Sequence, residues 1–433
     1  MIHTIKKIIP KPLLQIYHFA LAKFSAFWFR HPSNKLIVIG VTGTNGKSST
    51  VQFIAQILTE LGHKVGYTTT AGFFIAGKEI ENKMKMTMPG RFFLQSLIGR
   101  MVREKCEYAV IETSSEGIAQ FRHLGINYDI AVFTNLTPEH IESHGSFENY
   151  KRAKGKLFAH LSRSPRKTID GVQIQKVSVI NVDDEHSEYF TSFEADELTT
   201  FGWKKTDAEV LAKSSKQTKT GVEFLLQKQK VQIPLRARFQ QENALAAIAA
   251  VHALEISLKD IAKACKSLSA IPGRFEFIDS DHDFDVIVDY AYEPYALKAL
   301  FDAVTLVKPK RIIGVHGSAG GGRDVSRRSV IGRMAAEFED VVVVTNEDPY
   351  DEDPREIIEQ VAQGARSAGK KDDVNLFLID SRMEAIEFAV AQAKKGDIVL
   401  LTGKGSEPVM AVAGGKKIPW SDKQAALHAL KKI

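Results

Sequence analysis

Apolar positions in this chain follow two rhythms. Short blocks that are apolar almost throughout, KLIVIGVTG (35–43), YAVIETSS (108–115), DIAVFTNL (129–136) and VSVINVDD (177–184), have the character of strands buried on both faces. Most are followed by longer segments with apolar residues three and four apart, so crossover helices on a parallel sheet are expected. Between about 200 and 235 the rhythm shortens: GVEFLLQ and KVQIPL predict an antiparallel patch, and a helical QENALAAIAAVHAL follows. SAIPGRFEFI (269–278) reads as a junction. Beyond it FDVIVDYA, RIIGVHGS, DVVVVTNE, NLFLID and DIVLLTG restart the strand–helix alternation.

A different pattern precedes all of this. PKPLLQIYHFALAKFSAFWFRHP (10–32) lies between prolines and carries Leu13, Tyr17, Leu21, Phe24 and Trp28 in one helical stripe. Gln15, His18 and Lys23 interrupt it, and no small-residue cleavage site follows, which argues against a membrane span and a signal peptide. The stripe is expected to pack on the domain behind it. The second reading is an interfacial helix on a membrane surface, with basic flanks and aromatic anchors.

Charge supports attention to this segment. Lys6, Lys7, Lys11, Lys23, Arg30 and Lys35 face no acid in residues 1–36, and they account for the whole net charge of +6. The remainder is balanced, so a nucleic-acid groove is not expected. The two cysteines, Cys106 and Cys265, are far apart in sequence, which excludes a disulfide framework and points to a reducing cytoplasm.

The most chemical stretch is IGVTGTNGKSSTV (39–51). Gly43 and Gly46 enclose only Thr44 and Asn45 before Lys47, Ser48 and Ser49, a shorter spacing than the common phosphate loop. Its context is right: an apolar strand, a glycine turn, then a helix whose free N–H groups can meet a polyphosphate. Lys47 suits the β/γ-phosphates and Ser48 a Mg²⁺ ion. Glu112 ends the next buried strand, where α/β crevices form. By themselves Glu112 reads equally as a helix cap, His140 as a structural histidine and Lys154 as a solvated lysine.

In combination these stretches resemble the Mur ligases. GTNGKSS, ETSSEGIAQ, VFTNLTPEHIESHG, YKRAKGKLF, ENALAA, PGRFEF, VDYAYEPYAL, GGGRDVSRRSVIG, EFEDVVVVTNEDPYDEDP and TGKGSE occur in that family's order over residues 37–433. The likeness is strongest to its tripeptide-synthetase branch, which adds the third residue of the peptidoglycan stem peptide. It implies an α/β fold: an N-terminal amphipathic helix (1–36), a central P-loop ATPase-like parallel-sheet domain (37–271) and a smaller Rossmann-like C-terminal domain (272–433). It also implies a cytoplasmic, monomeric amide ligase that uses ATP to phosphorylate a carboxylate, which an amino-acid amine then attacks.

The resemblance assigns residues one by one. Gly43, Thr44, Asn45, Gly46, Lys47, Ser48 and Ser49 cradle ATP; Asn243, Arg274 and Asp289 also reach the nucleotide. Ser48 and Glu112 hold the first of two Mg²⁺ ions, His140 the second. Lys154 falls where the family carries a carbamate formed from CO₂, a metal ligand. Thr87 and Pro89 of TMPG, Ser114 and Tyr150 face the muramyl-peptide acceptor. Arg323, Glu347, Asp348, Gly403 and Glu407 face the incoming amino acid.

Departures shape the expectation. That branch begins with a separate domain gripping the UDP end of its substrate, whereas 36 residues precede the ATPase strand here. Either UDP is read elsewhere or the acceptor is not the soluble UDP precursor, and a site at the inner membrane face fits the second case. Diaminopimelate-adding members carry DNPR, whose arginine clamps the distal carboxylate; the aligned segment is EDPY, Glu347 to Tyr350. Acids without that arginine favour lysine or ornithine. Tyr292 and Ser406 replace family histidines, and Gln240 a family asparagine. Rival expectations are a folylpolyglutamate-synthetase-like ligase, an ammonia-using ligase and a non-catalytic nucleotide-binding scaffold.

Overall fold

The computed structural model describes residues 11–82, 84, 86–138, 144–218, 220–322 and 324–433. They fall into two compact units, the first ending at residue 269 and the second covering residues 270–433. No helix among the described residues is long and apolar enough to cross a membrane.

The first unit opens with helix α1 (Lys11–Trp28), followed by β1 (Ile37–Thr42) and α2 (Lys47–Glu60). Next come β2 (Val65–Thr68), β3 (Gly72–Ile75), β4 (Lys78–Glu81), α3 (Arg91–Arg103) and β5 (Tyr108–Glu112). After β6 (Ile130–Phe133) comes α4 (Phe147–Arg163), then the hairpin of β7 (Lys167–Ile169) and β8 (Val172–Ile174). β9 (Val177–Asn181), β10 (Glu197–Gly202), β11 (Val210–Gln217), β12 (Val222–Leu226), β13 (Gln229–Ile233) and α5 (Arg238–His252) follow.

Eleven strands make one sheet in the order β13-β12-β11-β10-β9-β6-β1-β5-β2-β3-β4. From β2 to β10 the pairings are parallel. β12 and β13 form the expected antiparallel patch. β2 to β4 extend the other edge as an antiparallel meander that the apolar rhythm does not predict. Strand β1 is buried along most of its length; the chain leaves it towards β2 and β5 on one side and then crosses from β5 to β6 on the other. That reversal makes a crevice at its C-terminal end.

Helix α1 departs from expectation in the face it buries. Ala22, Ser25 and Ala26 are at most 2% exposed, while Leu13, Tyr17, Phe24 and Trp28 of the stripe are 50–66% exposed. Small side chains let the helix backbone approach closely: a Cβ on Gly125 would come within 3.0 Å of the Ala22 carbonyl.

The second unit is a six-stranded sheet, β14-β15-β19-β16-β17-β18, with the five expected strands parallel and β14 antiparallel at its edge. Its strands are β14 (Glu276–Ile278), β15 (Asp285–Val288), β16 (Ile312–His316), β17 (Val341–Thr345), β18 (Leu376–Ile379) and β19 (Ile398–Leu401). Helices α6 (Arg382–Gln392) and α7 (Asp422–Leu430) pack with them around Val286, Val288, Ile313, Val315, Val399 and Leu401.

Candidate active site

The phosphate loop leaves β1 at a position only glycine tolerates. Gly43 has φ +153° and Gly46 φ +80°; a Cβ on either would meet Thr134 Oγ1 or Asn243 Oδ1 at 2.0 Å. The loop is clamped from the β6 side. Thr44 N–H donates to Asn135 O (2.8 Å), Asn45 N–H to Asn135 Oδ1 (2.8 Å), and Thr134 Oγ1 to Asn45 O (2.8 Å). Among the described residues no side chain caps the first turn of α2, so its leading N–H groups face the crevice as an anion site.

Two lysines converge on this loop. Lys47 Nζ donates to Gly43 O (3.1 Å) and Thr44 O (2.7 Å), and Lys154 Nζ donates to Gly43 O (2.6 Å). Lys154 is 1% exposed and its amine lies 4.2 Å from the centre of the Tyr150 ring. Tyr150 in turn donates to Thr44 Oγ1 (3.1 Å). The α4 residues Tyr150 and Lys154 are thus four apart on one helix face, both against the loop.

Glu112 stands at the end of β5 and is 2% exposed. Ser48 Oγ donates to its Oε2 (2.8 Å), and so does the Thr70 N–H (2.8 Å). Thr70 Oγ1 also bonds Thr87 Oγ1 (2.8 Å), tying the TMPG segment to the same carboxylate. Hydroxyl and carboxylate oxygens are hard donors suited to Mg²⁺, which keeps several waters and phosphate oxygens as ligands. Among the described residues no three His, Cys, Asp or Glu side chains gather as a metal cage. Glu112 and Ser48 would therefore hold one edge of the ion. His140 lies outside the described residues.

Around TMPG the structure adds residues that sequence reasoning missed. Arg122 donates to Met88 O and to Gln120 Oε1 (2.8 Å), and Arg91 donates to Gln120 O. Burial pushes both guanidiniums below their ordinary pKa; Arg91 falls to about 10, with the charge of Arg122 contributing. Two cations bonded to neutral acceptors beside Thr87 can receive a carboxylate. Their signal in sequence was only that an arginine follows TMPG and another follows EGIAQF. Ser114 caps the short turn after β5, accepting from Gly117 N–H (3.2 Å).

The second unit gathers its candidates at the C-terminal ends of the adjacent strands β19, β16 and β17. Lys404, fully buried, donates to both oxygens of Asp348 (3.0 Å each) and to Glu407 Oε2 (2.7 Å). Arg382, also missed, makes a two-pronged pair with Asp422 (2.8 and 2.6 Å). Glu347 is 5% exposed, and its Oε2 has no hydrogen-bond partner among the described residues. Burial raises its pKa to about 7 against the opposing pull of Arg382 and Lys404. Gly403, at φ +94°, holds the adjoining backbone where a Cβ would meet Glu347 Oε2 at 2.2 Å. Arg323 lies outside the described residues.

Arg274 and Asp289 also belong to this unit. The Arg274 guanidinium stacks 4.0 Å from the Tyr290 ring, whose hydroxyl donates to Glu407 Oε1 (3.2 Å). Asp289 accepts from the Phe275 and Ala291 N–H groups (2.7 Å each), and burial raises its pKa. On the other unit, Asn243 sits on α5 against Gly46.

Comparison with known proteins decides the family. The Mur ligase middle domain matches residues 41–251, and the Mur ligase glutamate ligase domain matches residues 273–405. The chain belongs to the Mur ligase family. It is 35% identical over 415 residues to the UDP-N-acetylmuramoyl-L-alanyl-D-glutamate–2,6-diaminopimelate ligase of Caldanaerobacter subterraneus subsp. tengcongensis, covering 95% of this chain and 81% of that protein. It is 35% identical over 437 residues to the UDP-N-acetylmuramyl-tripeptide synthetase of a Roseiflexus species, covering 98% and 85%. A solved diaminopimelate ligase superposes with a TM-score of 0.61 at 27% identity, over 94% of this chain and 82% of that one. Mycobacterium tuberculosis folylpolyglutamate synthase, at 19% identity and a TM-score of 0.71 over 90% and 93%, shares the fold. As a Mur ligase the chain is an ATP-dependent amide ligase, and the family uses ATP with Mg²⁺.

Proposed function

We propose that this Mur ligase joins an amino acid with a cationic side chain, lysine or ornithine, to a carboxylate of a muramyl-peptide-type acceptor in peptidoglycan precursor synthesis. The observation that carries the amino-acid assignment is Glu347, a buried acid with an unpartnered oxygen among the described residues. Lys404 already satisfies Asp348 and Glu407, so Glu347 is the acid left for a ligand ammonium. Two buried cations, Arg382 and Lys404, stand among four acids, Glu347, Asp348, Glu407 and Asp422, which favours a cationic guest. Relatives named for diaminopimelate carry a second carboxylate on their substrate. At the position where such members place an arginine, this chain has Tyr350, whose ring lies against Gly321.

In the first unit, Lys47 and the α2 N-terminus would neutralise the β/γ-phosphates, and Ser48 with Glu112 would hold Mg²⁺, which offsets phosphate charge. Arg91, Arg122 and Thr87 would orient the acceptor carboxylate. That oxygen attacks the γ-phosphorus, ADP leaves, and the amine displaces phosphate from the acyl phosphate to give the amide. Asn243 would contact the nucleotide, and His140 a second ion. Lys154 would lose one proton to free its Nζ lone pair, which adds CO₂ to form an N–C bond with loss of a second proton, so that a buried cation becomes an anionic metal ligand. Tyr150 and Ser114 would line the acceptor side; Arg323 would bind the amino-acid carboxylate, with Gly403 beside it.

The test is phosphate release over a panel of amino acids with UDP-linked and lipid-linked muramyl-dipeptide acceptors, products read by mass spectrometry. Turnover is expected with lysine or ornithine. Turnover with diaminopimelate and neither of these overturns the assignment.

A further inference from the structure

The ligase reading leaves the outward face of α1 without a role. Its inner face of Ala22, Ser25 and Ala26 is buried on the first unit, whereas Leu13, Ile16, Tyr17, Phe24, Phe27 and Trp28 are 50–70% exposed. At the helical repeat these six residues fall within an arc of roughly 120°. The apolar surface continues beyond the helix. Phe24 meets Phe92 at 6.0 Å between ring centres, and Phe92, Phe93 and Met86, 37–42% exposed, carry the patch to the edge of the TMPG segment. A soluble surface seldom leaves so many adjoining aromatic rings in water without a partner.

Charge selects the partner. Residues 1–36 hold six basic residues and no acid, and Lys23, Arg30 and Lys35 are exposed. A second copy meeting this face across a two-fold axis would set two such segments against each other. Anionic lipid headgroups instead attract the cations, while Trp, Tyr and Phe side chains settle at the headgroup–acyl boundary. No helix of the described residues can cross the bilayer, so the chemistry is that of a helix lying in its surface.

We propose that α1 seats the protein on an anionic lipid bilayer, with Phe92, Phe93 and the acceptor segment turned towards the lipid. This holds whatever amino acid is ligated.

The full chain is sedimented with vesicles of phosphatidylcholine containing one-quarter phosphatidylglycerol, and with pure phosphatidylcholine. Binding is expected to the anionic vesicles, weakening with salt, and to fall on the order of fivefold for each basic residue removed. The Phe27→Glu/Trp28→Glu variant should bind at least about tenfold more weakly, since each change puts a charge on a lipid-facing position. Its melting temperature should be unchanged, because both side chains are exposed. Failure of the wild type to bind anionic vesicles at low salt overturns the proposal, as does unaltered binding by that variant. Sedimentation velocity gives the remaining outcome: a dimer that the variant dissociates, with no lipid binding, assigns the face to a second copy.

Discussion

Glu112 and Glu347 are both buried carboxylates at the C-terminal edge of a parallel sheet, yet their surroundings prepare them for opposite tasks. Glu112 accepts from Ser48, from the Thr70 amide and from the Thr70 hydroxyl. Such a carboxylate is held in place by its donors, and a cation arriving there meets an acid already positioned. Glu347 has an oxygen with no partner among the described residues and is raised to about 7 by burial. Its charge is costly until a ligand supplies the missing donor. One acid is fixed by partners within the protein; the other keeps an oxygen for charge that arrives with the substrate.

The scaffold behind Glu347 gives the largest expected effect. Arg382 is 2% exposed and forms its two-pronged pair with Asp422, which also accepts from Trp420 Nε1 at 2.8 Å. Arg382→Met leaves Asp422 buried without its cation, a loss of about 3–5 kcal/mol. Urea unfolding should show it, and Arg382→Met/Asp422→Leu should recover much of the loss. A single variant as stable as the wild type would remove Arg382 as the support of the acid cluster.

Much of this was legible in sequence for physical reasons that can be named. Strands buried on both faces must be apolar throughout, so β1, β5, β6 and β9 stood out, and so did β15 to β19. The turn at Gly43 and Gly46 needs residues without a Cβ, which makes the loop visible as a motif. Contacts closed by distant chain segments left no such mark. Thr70 reaches Glu112 because β2 pairs with β5, and Arg91 and Arg122 meet at Gln120 because the start of α3 lies beside the turn after β5. Helix α1 shows the limit of periodicity. A stripe says that one face differs, not which face is buried, and the small residues Ala22, Ser25 and Ala26 took the inner side.

On the Glu112 side the comparison turns on Lys154. Its amine is buried and shares the Gly43 carbonyl with Lys47, so as a cation it adds positive charge where Lys47 already stands. As a carbamate it would add a negative ligand facing the ion. Lys154→Ala should therefore cost roughly 10²–10³ in kcat, the scale of losing one electrostatic stabiliser. Wild-type activity should fall in CO₂-depleted buffer and return with bicarbonate. Full activity in Lys154→Ala would undo the assignment, and indifference of the wild type to bicarbonate would undo the carbamate.

The smallest effect is the most diagnostic of the difference between the two acids. A ligand ammonium binds ionised Glu347 better than the protonated form, so binding must release a proton below the free-enzyme pKa of about 7. The sign follows: amino-acid affinity rises with pH up to about 7 and levels off above it. Glu347→Gln keeps the shape, removes the charge and should raise KM for the amino acid by about tenfold, equivalent to roughly 1.4 kcal/mol. It should also flatten that limb of the pH profile, while KM for ATP, bound at the other unit's loop, stays unchanged. A Glu347→Gln enzyme whose amino-acid KM still falls towards pH 7 would place the titrating group elsewhere, and with it the charge that arrives with the substrate.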